Sequence, residues 1–337
     1  MIVIKNDNYG EHFPKWTFKL GKESYSTKDK PSRVDVIVKA LEKTGKFEFI
    51  HSSQFPEKYI ARLHHYHAFI KRISASIKDP GEEIYPDLFP GEGANLPKKI
   101  HPLWGGLYCT DAVTPVTSRT YEVARGSAES ALTGAKMIRE KKQKTVYALC
   151  RPSGHHAGPR VFGGYCYFNN TATAAHYLSE KGRVAILDTD YHCGNGTQEF
   201  FYERGDIFTC SIHGNPEYEY PYYWGYENEK GKGEGKGANL NLPLPMKSDD
   251  SVYLEALDKA VKAIRNFNPD FLVIGAGFDT HKNDPIGGFL LTTPVYKLIG
   301  EKLAALNLPL LICQEGGYNT RVLAQCVLNF LQAFLNK

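Results

Sequence analysis

The sequence predicts a single doubly wound α/β domain, a mostly parallel sheet with helices on both faces, and three observations predict it. Near-continuous apolar runs at 145–150 (TVYALC), 183–188 (RVAILD), 207–213 (IFTCSIH), 271–277 (FLVIGAG) and 309–314 (PLLICQ) read as strands buried on both faces. Segments of helical period separate them, the pattern of a covered parallel sheet. Polar clusters then begin where four of these strands stop: RPSGHH after Cys150, DTDYH after Leu187, FDTHKNDP after Gly277 and QEGGY after Cys313. Open parallel sheets bind ligands outside the carboxyl ends of their strands, so His155, His156, Asp190, His192, Asp279 and Tyr318 are expected to converge.

In chain order, residues 2–5 read as a strand, 32–45 as a helix ending in glycine, and 47–52 as the next strand. EKYIARLHHYHAFIKRISASI is helical by period and carries His64, His65 and His67. On a helix these imidazoles point in different directions, which favours a structural or surface role over a metal site. Residues 78–120 break the rhythm with Pro80, Pro86, Pro90, Pro97, Pro102 and Pro115, a length of irregular chain that is usually functional or interface-forming. Asp79, Glu82, Glu83, Asp87 and Glu92 give it a local negative field able to draw a cationic substrate; a solvated acidic loop is the plainer alternative. Beyond it, helices are expected at 120–141, in NNTATAAHYLSE, in SVYLEALDKAVKAIRNF and in TPVYKLIGEKLAAL. With no repeat and no linker, 1–337 is expected to be one domain with a loop insertion at about 78–120.

Composition narrows the class. A hydrophobic fraction of 42% with 23% charged residues is ordinary for a globular protein, and no run of 18 uncharged apolar residues occurs. The start, MIVIKNDNYG, lacks a basic region followed by an apolar one, so a cytoplasmic protein, neither secreted nor membrane-associated, is expected. Seven cysteines without a CxxC pair suit reduced thiols better than disulfides or a cysteine-held metal. A net charge of +4 without a basic stripe argues against a nucleic-acid partner.

The chemistry is concentrated between Arg151 and Gly196. Glycine and proline make a loop around His155 and His156 that allows close approach to a ligand. In extended chain Asp188, Asp190 and His192 share a face, so two of them could hold a divalent metal while the third supports a neighbour. A carboxylate, an imidazole and a carboxylate from elsewhere leave a fourth position on zinc open, which a hydrolytic site needs.

RPSGHHAG, FGGYCYFNN, LDTDYHCGNGTQ, FYERGD, GFDTHKNDP and QEGGY occur in this order, and together they resemble the zinc-dependent deacetylases of the arginase and deacetylase fold, which include the histone deacetylases. The resemblance is strongest to the acetylpolyamine amidohydrolases and extends from about residue 100 onward. It implies that Asp190, His192 and Asp279 bind one Zn2+, with His155 and His156 as general base and acid and Asp188 and Asn195 as their respective partners. A carboxylate favours a charged His155, whereas an amide orients His156 without charging it, so His156 is expected to be the base. Tyr318 is expected to hydrogen-bond the developing oxyanion; Gly164, Tyr165 and Tyr220 are expected to line the substrate channel. The resemblance further implies a K+ near Asp188 and Ser211 with main-chain oxygens of Asp190, His192 and Ile212, and a homodimer built on the insertion.

Three positions depart from the family. Cys193 stands where a second histidine is usual, with little effect expected. Pro102 and Val113 replace carboxylates that face the substrate's distal ammonium groups, leaving only Asp111 near, which admits acetyl-lysine beside acetylpolyamines. The expected function is therefore removal of acetyl groups from N-acetylated primary aliphatic amines. Alternatives are a protein lysine deacetylase with no polyamine role, a non-catalytic acetyl-ligand binder, and an arginase-like manganese hydrolase, which the histidine pair disfavours.

Overall fold

The computed structural model describes residues 1–20, 23–89 and 102–335. In chain order the elements are β1 (Ile2–Lys5), β2 (Trp16–Leu20), β3 (Glu23–Ser26), α1 (Ser32–Glu42), β4 (Glu48–His51), α2 (Lys58–Ala61), α3 (His67–Ser76), β5 (Glu83–Ile84) and β6 (Val116–Thr117). They continue with α4 (Thr120–Arg139), β7 (Thr145–Ala148), α5 (Asn170–Ser179), β8 (Val184–Asp188), α6 (Asn195–Phe201), β9 (Ile207–Gly214), β10 (Asn239–Leu244), α7 (Asp250–Phe267), β11 (Phe271–Ala276), α8 (Val295–Ala304), β12 (Leu310–Gln314) and α9 (Leu323–Gln332).

The main sheet has eight strands in the order β10, β9, β8, β11, β12, β7, β1, β4. Every neighbouring pair is parallel. Because successive side chains of a strand face opposite ways, Ala185 and Leu187 of β8 join the core under α1, α7, α8 and α9, while Val184 and Ile186 join the core under α4, α5 and α6. Both faces are thus covered, which is why these strands read as unbroken apolar runs. Helix α4 lies close on its face because its inward residues are small: a Cβ at Gly134 would come within 2.6 Å of Leu311 Cδ1.

From β8 the chain winds outward through β9 to β10, whereas from β11 it winds the other way through β12. The order reverses between β8 and β11, and the chain leaving the two strands opens a crevice there.

Some elements differ from the sequence reading. Strand β10, NLNLPL, was not expected, since alternating polar residues and Pro243 suit loops; at the sheet edge a missing N–H costs nothing. The helix expected through HHYH is broken into α2 and α3 without a proline or glycine at the break. The cause is His64, which is buried, donates from Nδ1 to Ile60 O (3.0 Å) and accepts at Nε2 from the Asn169 N–H (2.9 Å). Burial pushes this imidazole down to about 3, so it is neutral and structural. The 78–120 excursion is closed at its base by antiparallel pairing of β5 with β6.

Ahead of α1 the chain is pinned to the strand ends by buried charge. Asp29 lies between the guanidinium groups of Arg33 and Arg151, and all three are buried. Arg151, just after β7, also donates to His12 O (2.9 Å) and Asp29 O (2.7 Å). Arg33 reaches across to Gly317 O (2.6 Å) and Glu315 O, beyond β12. Burial works against the Asp29 charge, but Arg151 and Arg33 hold its carboxyl below the usual carboxylate range. A depressed folded value means that this stabilisation is present at neutral pH and is lost as pH falls through the folded value. Removing the one carboxylate leaves two guanidinium groups facing each other without water, so Asp29→Ala is expected to lower stability by about 3–5 kcal/mol at pH 7. Urea unfolding of the variant and the parent measures this, and a loss below about 1 kcal/mol contradicts it.

Candidate active site

Four loops supply the site. The loop after β7 carries His155 and His156, that after β8 carries Asp190 and His192, that after β11 carries Asp279, and that after β12 carries Glu315 and Tyr318. All of these side chains except that of Tyr318 belong to buried residues.

Asp190, His192 and Asp279 converge, with one ligand atom from each lying within 4.8 Å of the others. His192 Nδ1 is 3.3 Å from Asp190 Oδ1 and 3.3 Å from Asp279 Oδ2. Backbone amides fix both carboxylates: Asp190 Oδ1 accepts from the His192 N–H (3.0 Å), Asp190 Oδ2 from Gly316 (2.7 Å) and Asp279 Oδ1 from Tyr191 (2.9 Å). Gly316 allows this packing, since a Cβ there would lie 2.5 Å from Asp190 Oδ2 and 2.6 Å from Asp279 Oδ2.

Asp279 Oδ2 is left buried with no hydrogen-bond partner. Such an atom is costly in a protein interior unless something electropositive meets it. Burial and the Asp190 charge push the Asp279 carboxyl up to about 7. Oxygen, imidazole and oxygen donors with one oxygen unsatisfied fit a divalent metal such as zinc.

Beside this cluster stand the two histidines, with ring centroids 3.9 Å apart. His155 donates from Nδ1 to Asp188 Oδ2 (3.0 Å), and its Nε2 lies 3.7 Å from Asp190 Oδ1. Burial opposes its charge, but Asp190 and Asp188 outweigh burial and raise it well above the ordinary imidazole value. His156 bonds through Nδ1 to Asn195 Oδ1 (2.7 Å) and is held well below that value by burial and by the neighbouring His155 and His192. The pair is therefore split into one charged and one neutral imidazole, in the sense that the carboxylate and amide partners suggest.

The site opens through a cavity of about 130 Å³ lined by His156, His192, Gly164, Tyr165, Tyr220, Tyr318, Val113 and Ile286. Gly164 adopts φ +56°, and a Cβ on it would strike His156 Cδ2 at 2.2 Å, which accounts for glycine in FGGY. Tyr220 packs edge-on against His156 at 4.7 Å and Tyr165 against Tyr318 at 6.1 Å. The Tyr318 ring lies under the Arg33 guanidinium, 4.5 Å from its centroid.

Asp111 does not face the channel as expected. Its Oδ2 accepts from the Gly164 N–H (2.6 Å) and the Tyr220 hydroxyl (3.0 Å), and its Oδ1 from the Val113 N–H (2.8 Å) and the Thr114 hydroxyl (2.9 Å). It stands behind the wall and clamps it. Asp188 and Ser211 are register partners on β8 and β9, and Ile212 follows, buried; Ser211 Oγ is 2.8 Å from His213 Nδ1.

Residues outside the expected set support the site. Glu315 Oε2 accepts from the N–H groups of Gly154 (2.7 Å) and His155 (3.2 Å), and burial pushes its carboxyl up to about 7. Asn169 donates to Ala157 O (3.0 Å) and Thr197 Oγ1 (3.0 Å). Glu315 lies in QEGGY and Asn169 in FGGYCYFNN, where Asn169 also caps α5, so both had a local sign; nothing local signals Arg33. The triad His64, His65 and His67 lies apart from the cluster, and all seven cysteines are free and buried.

Comparison with known proteins agrees with this geometry. The histone deacetylase domain matches residues 27–334. The chain is 38% identical to acetylpolyamine amidohydrolase 1 of Pseudomonas aeruginosa, over 99% of each chain, and 45% identical to the acetylpolyamine amidohydrolase of Mycoplana ramosa, over 67% of each. The crystal structure of the acetylpolyamine aminohydrolase from Burkholderia pseudomallei superposes with a TM-score of 0.92 at 36% identity, covering 99% of this chain and 98% of that one. With its doubly wound fold and its carboxylate–imidazole cluster beside paired histidines, the chain belongs to the histone deacetylase family.

Proposed function

We propose that the protein is a zinc-dependent amidohydrolase that removes acetyl groups from N-acetylated primary aliphatic amines, with acetylpolyamines as its principal substrates. The observation that carries this reading is the buried Asp190–His192–Asp279 cluster, with its unsatisfied carboxylate oxygen, reached by a cavity that His192 and His156 line. The names of the relatives support acetylpolyamines in particular.

Asp190, His192 and Asp279 would hold the metal, which when bound polarises an amide carbonyl and acidifies water. His156, neutral and directed through Nδ1 by Asn195, accepts the proton of the attacking water at Nε2. His155, kept charged by Asp188, donates a proton to the departing nitrogen, which then leaves as a neutral amine. Tyr318 donates its hydroxyl to the carbonyl oxygen as negative charge develops there. Tyr165 and Tyr220 flank the methylene chain with rigid apolar faces, and the Gly164 carbonyl accepts the substrate N–H. Potassium binding near Asp188 and Ser211 belongs to the same reading, with the adjacency of those residues in its support.

In this reading the whole chain acts as one domain, and the 78–120 insertion makes a homodimer. Leu88 and Phe89 support it, for each is 47% exposed. Ile84, from the same insertion, is buried within its own chain in the cluster against which Trp104 packs. Leu103 and Glu92 lie outside the described side chains. The dimer is checked by sedimentation velocity, where a species of one chain mass at micromolar concentration contradicts it.

His192→Ala is expected to lose its metal together with turnover while retaining its far-ultraviolet circular dichroism. Elemental analysis checks this: a variant with full metal content removes His192 from the ligand set. Turnover of acetylputrescine, acetylspermidine and an acetyl-lysine peptide, measured side by side, is expected to give the highest kcat/KM with an acetylpolyamine. A higher value for the peptide moves the substrate class to proteins.

A further inference from the structure

Tyr318 can serve an oxyanion only if its hydroxyl is held in place, and the chain just before it is anchored by Arg33 at Gly317 O and by Asp190 at the Gly316 N–H. The two residues before it are glycines, one of which, Gly317, has φ +119°, a region that side chains rarely allow. Backbone freedom there would let the tyrosine swing. The restraint on the backbone of Tyr318 itself comes from Asp284, five residues past Asp279 on the neighbouring loop.

One carboxylate bridges the two loops. Asp284 Oδ2 accepts from the Tyr318 N–H (2.7 Å) and the Asn319 N–H (3.2 Å), and Asp284 Oδ1 accepts from the Ile286 N–H (3.0 Å). Asn319 returns the tie, donating from Nδ2 to Asn283 O at 2.7 Å. Tyr318 and Ile286 both line the cavity, so a single side chain sets the separation of two parts of its wall. Charged acceptors make the stronger hydrogen bonds, and here one serves three backbone donors.

We infer that Asp284 is a positioning residue that fixes the Tyr318 hydroxyl through the tyrosine's own backbone, touching neither metal nor substrate itself. The inference rests on the role given to Tyr318 above. Asn at 284 keeps the shape but replaces one acceptor oxygen by an NH2 group, which cannot accept. It therefore releases one of the two loops from the other. Small displacements of a group that acts in the transition state lower kcat much more than KM.

A double-mutant cycle tests this. Tyr318→Phe alone is expected to lower kcat by roughly 100-fold. Asp284→Asn alone is expected to lower kcat by about 10-fold with KM within about twofold and metal content unchanged. In the Tyr318→Phe background, Asp284→Asn is expected to lower kcat by less than about twofold, because the group it positions is gone. Equal losses in the two backgrounds overturn the inference, as does a loss confined to KM. Wild-type kcat in Asp284→Asn beside a slowed Tyr318→Phe overturns the inference alone, whereas wild-type kcat in Tyr318→Phe overturns the tyrosine's role and this inference with it. Should Asp284→Asn not fold, Asp284→Glu, which keeps the charge and moves its oxygens by one methylene, carries the same cycle.

Discussion

Negative charge brought into a place with little water is the constraint on which the rest of the structure depends. Asp190 and Asp279 face each other across His192, which lines the cavity, and burial raises the cost of each charge. The fold meets that cost with backbone N–H groups on three of the four carboxylate oxygens and leaves the fourth for a cation. Strand order makes this possible. Only where β8 and β11 diverge in winding can the loops that follow them turn toward each other while β12 passes beside both.

The histidine pair shows the same field used to set proton positions. The two imidazoles are adjacent in sequence and in space, so one charged ring discourages the other from charging. Asp190 and Asp188 beside His155, and an amide behind His156, favour the charge on His155. Glu315, Asn169 and Asp111 stand behind the pair, and the Glu315 carboxylate also favours a charged His155. They tie down the loops that bear the histidines and the channel wall, through N–H groups, carbonyls and hydroxyls.

Much of this was legible in the chain because parallel strands announce themselves as apolar runs and their polar ends fall at once into a common crevice. Asp190, His192 and the tandem histidines were readable for that reason. Strand β10 was not, because an edge strand has one partner and tolerates asparagines and a proline that a central strand would refuse. The break between α2 and α3 was equally hidden, for it is imposed by His64 reaching Asn169, 105 residues away. Asp111 misled because a carboxylate near a channel in sequence can spend every oxygen on the channel's own wall. Arg33 left no local sign at all, since what it does depends on a loop near the other end of the chain.

That last separation bears on how the protein comes into being. Arg33 and the Gly317 carbonyl it holds are 284 residues apart, and β1 is inserted between β7 and β4 rather than lying at an edge. The early part of the chain must therefore wait during synthesis for distant neighbours, β1 for β7 and Arg33 for the Glu315 and Gly317 carbonyls beyond the last strand. A chain that stopped before β12 would lack both the loop of Tyr318 and the two carbonyls that Arg33 holds.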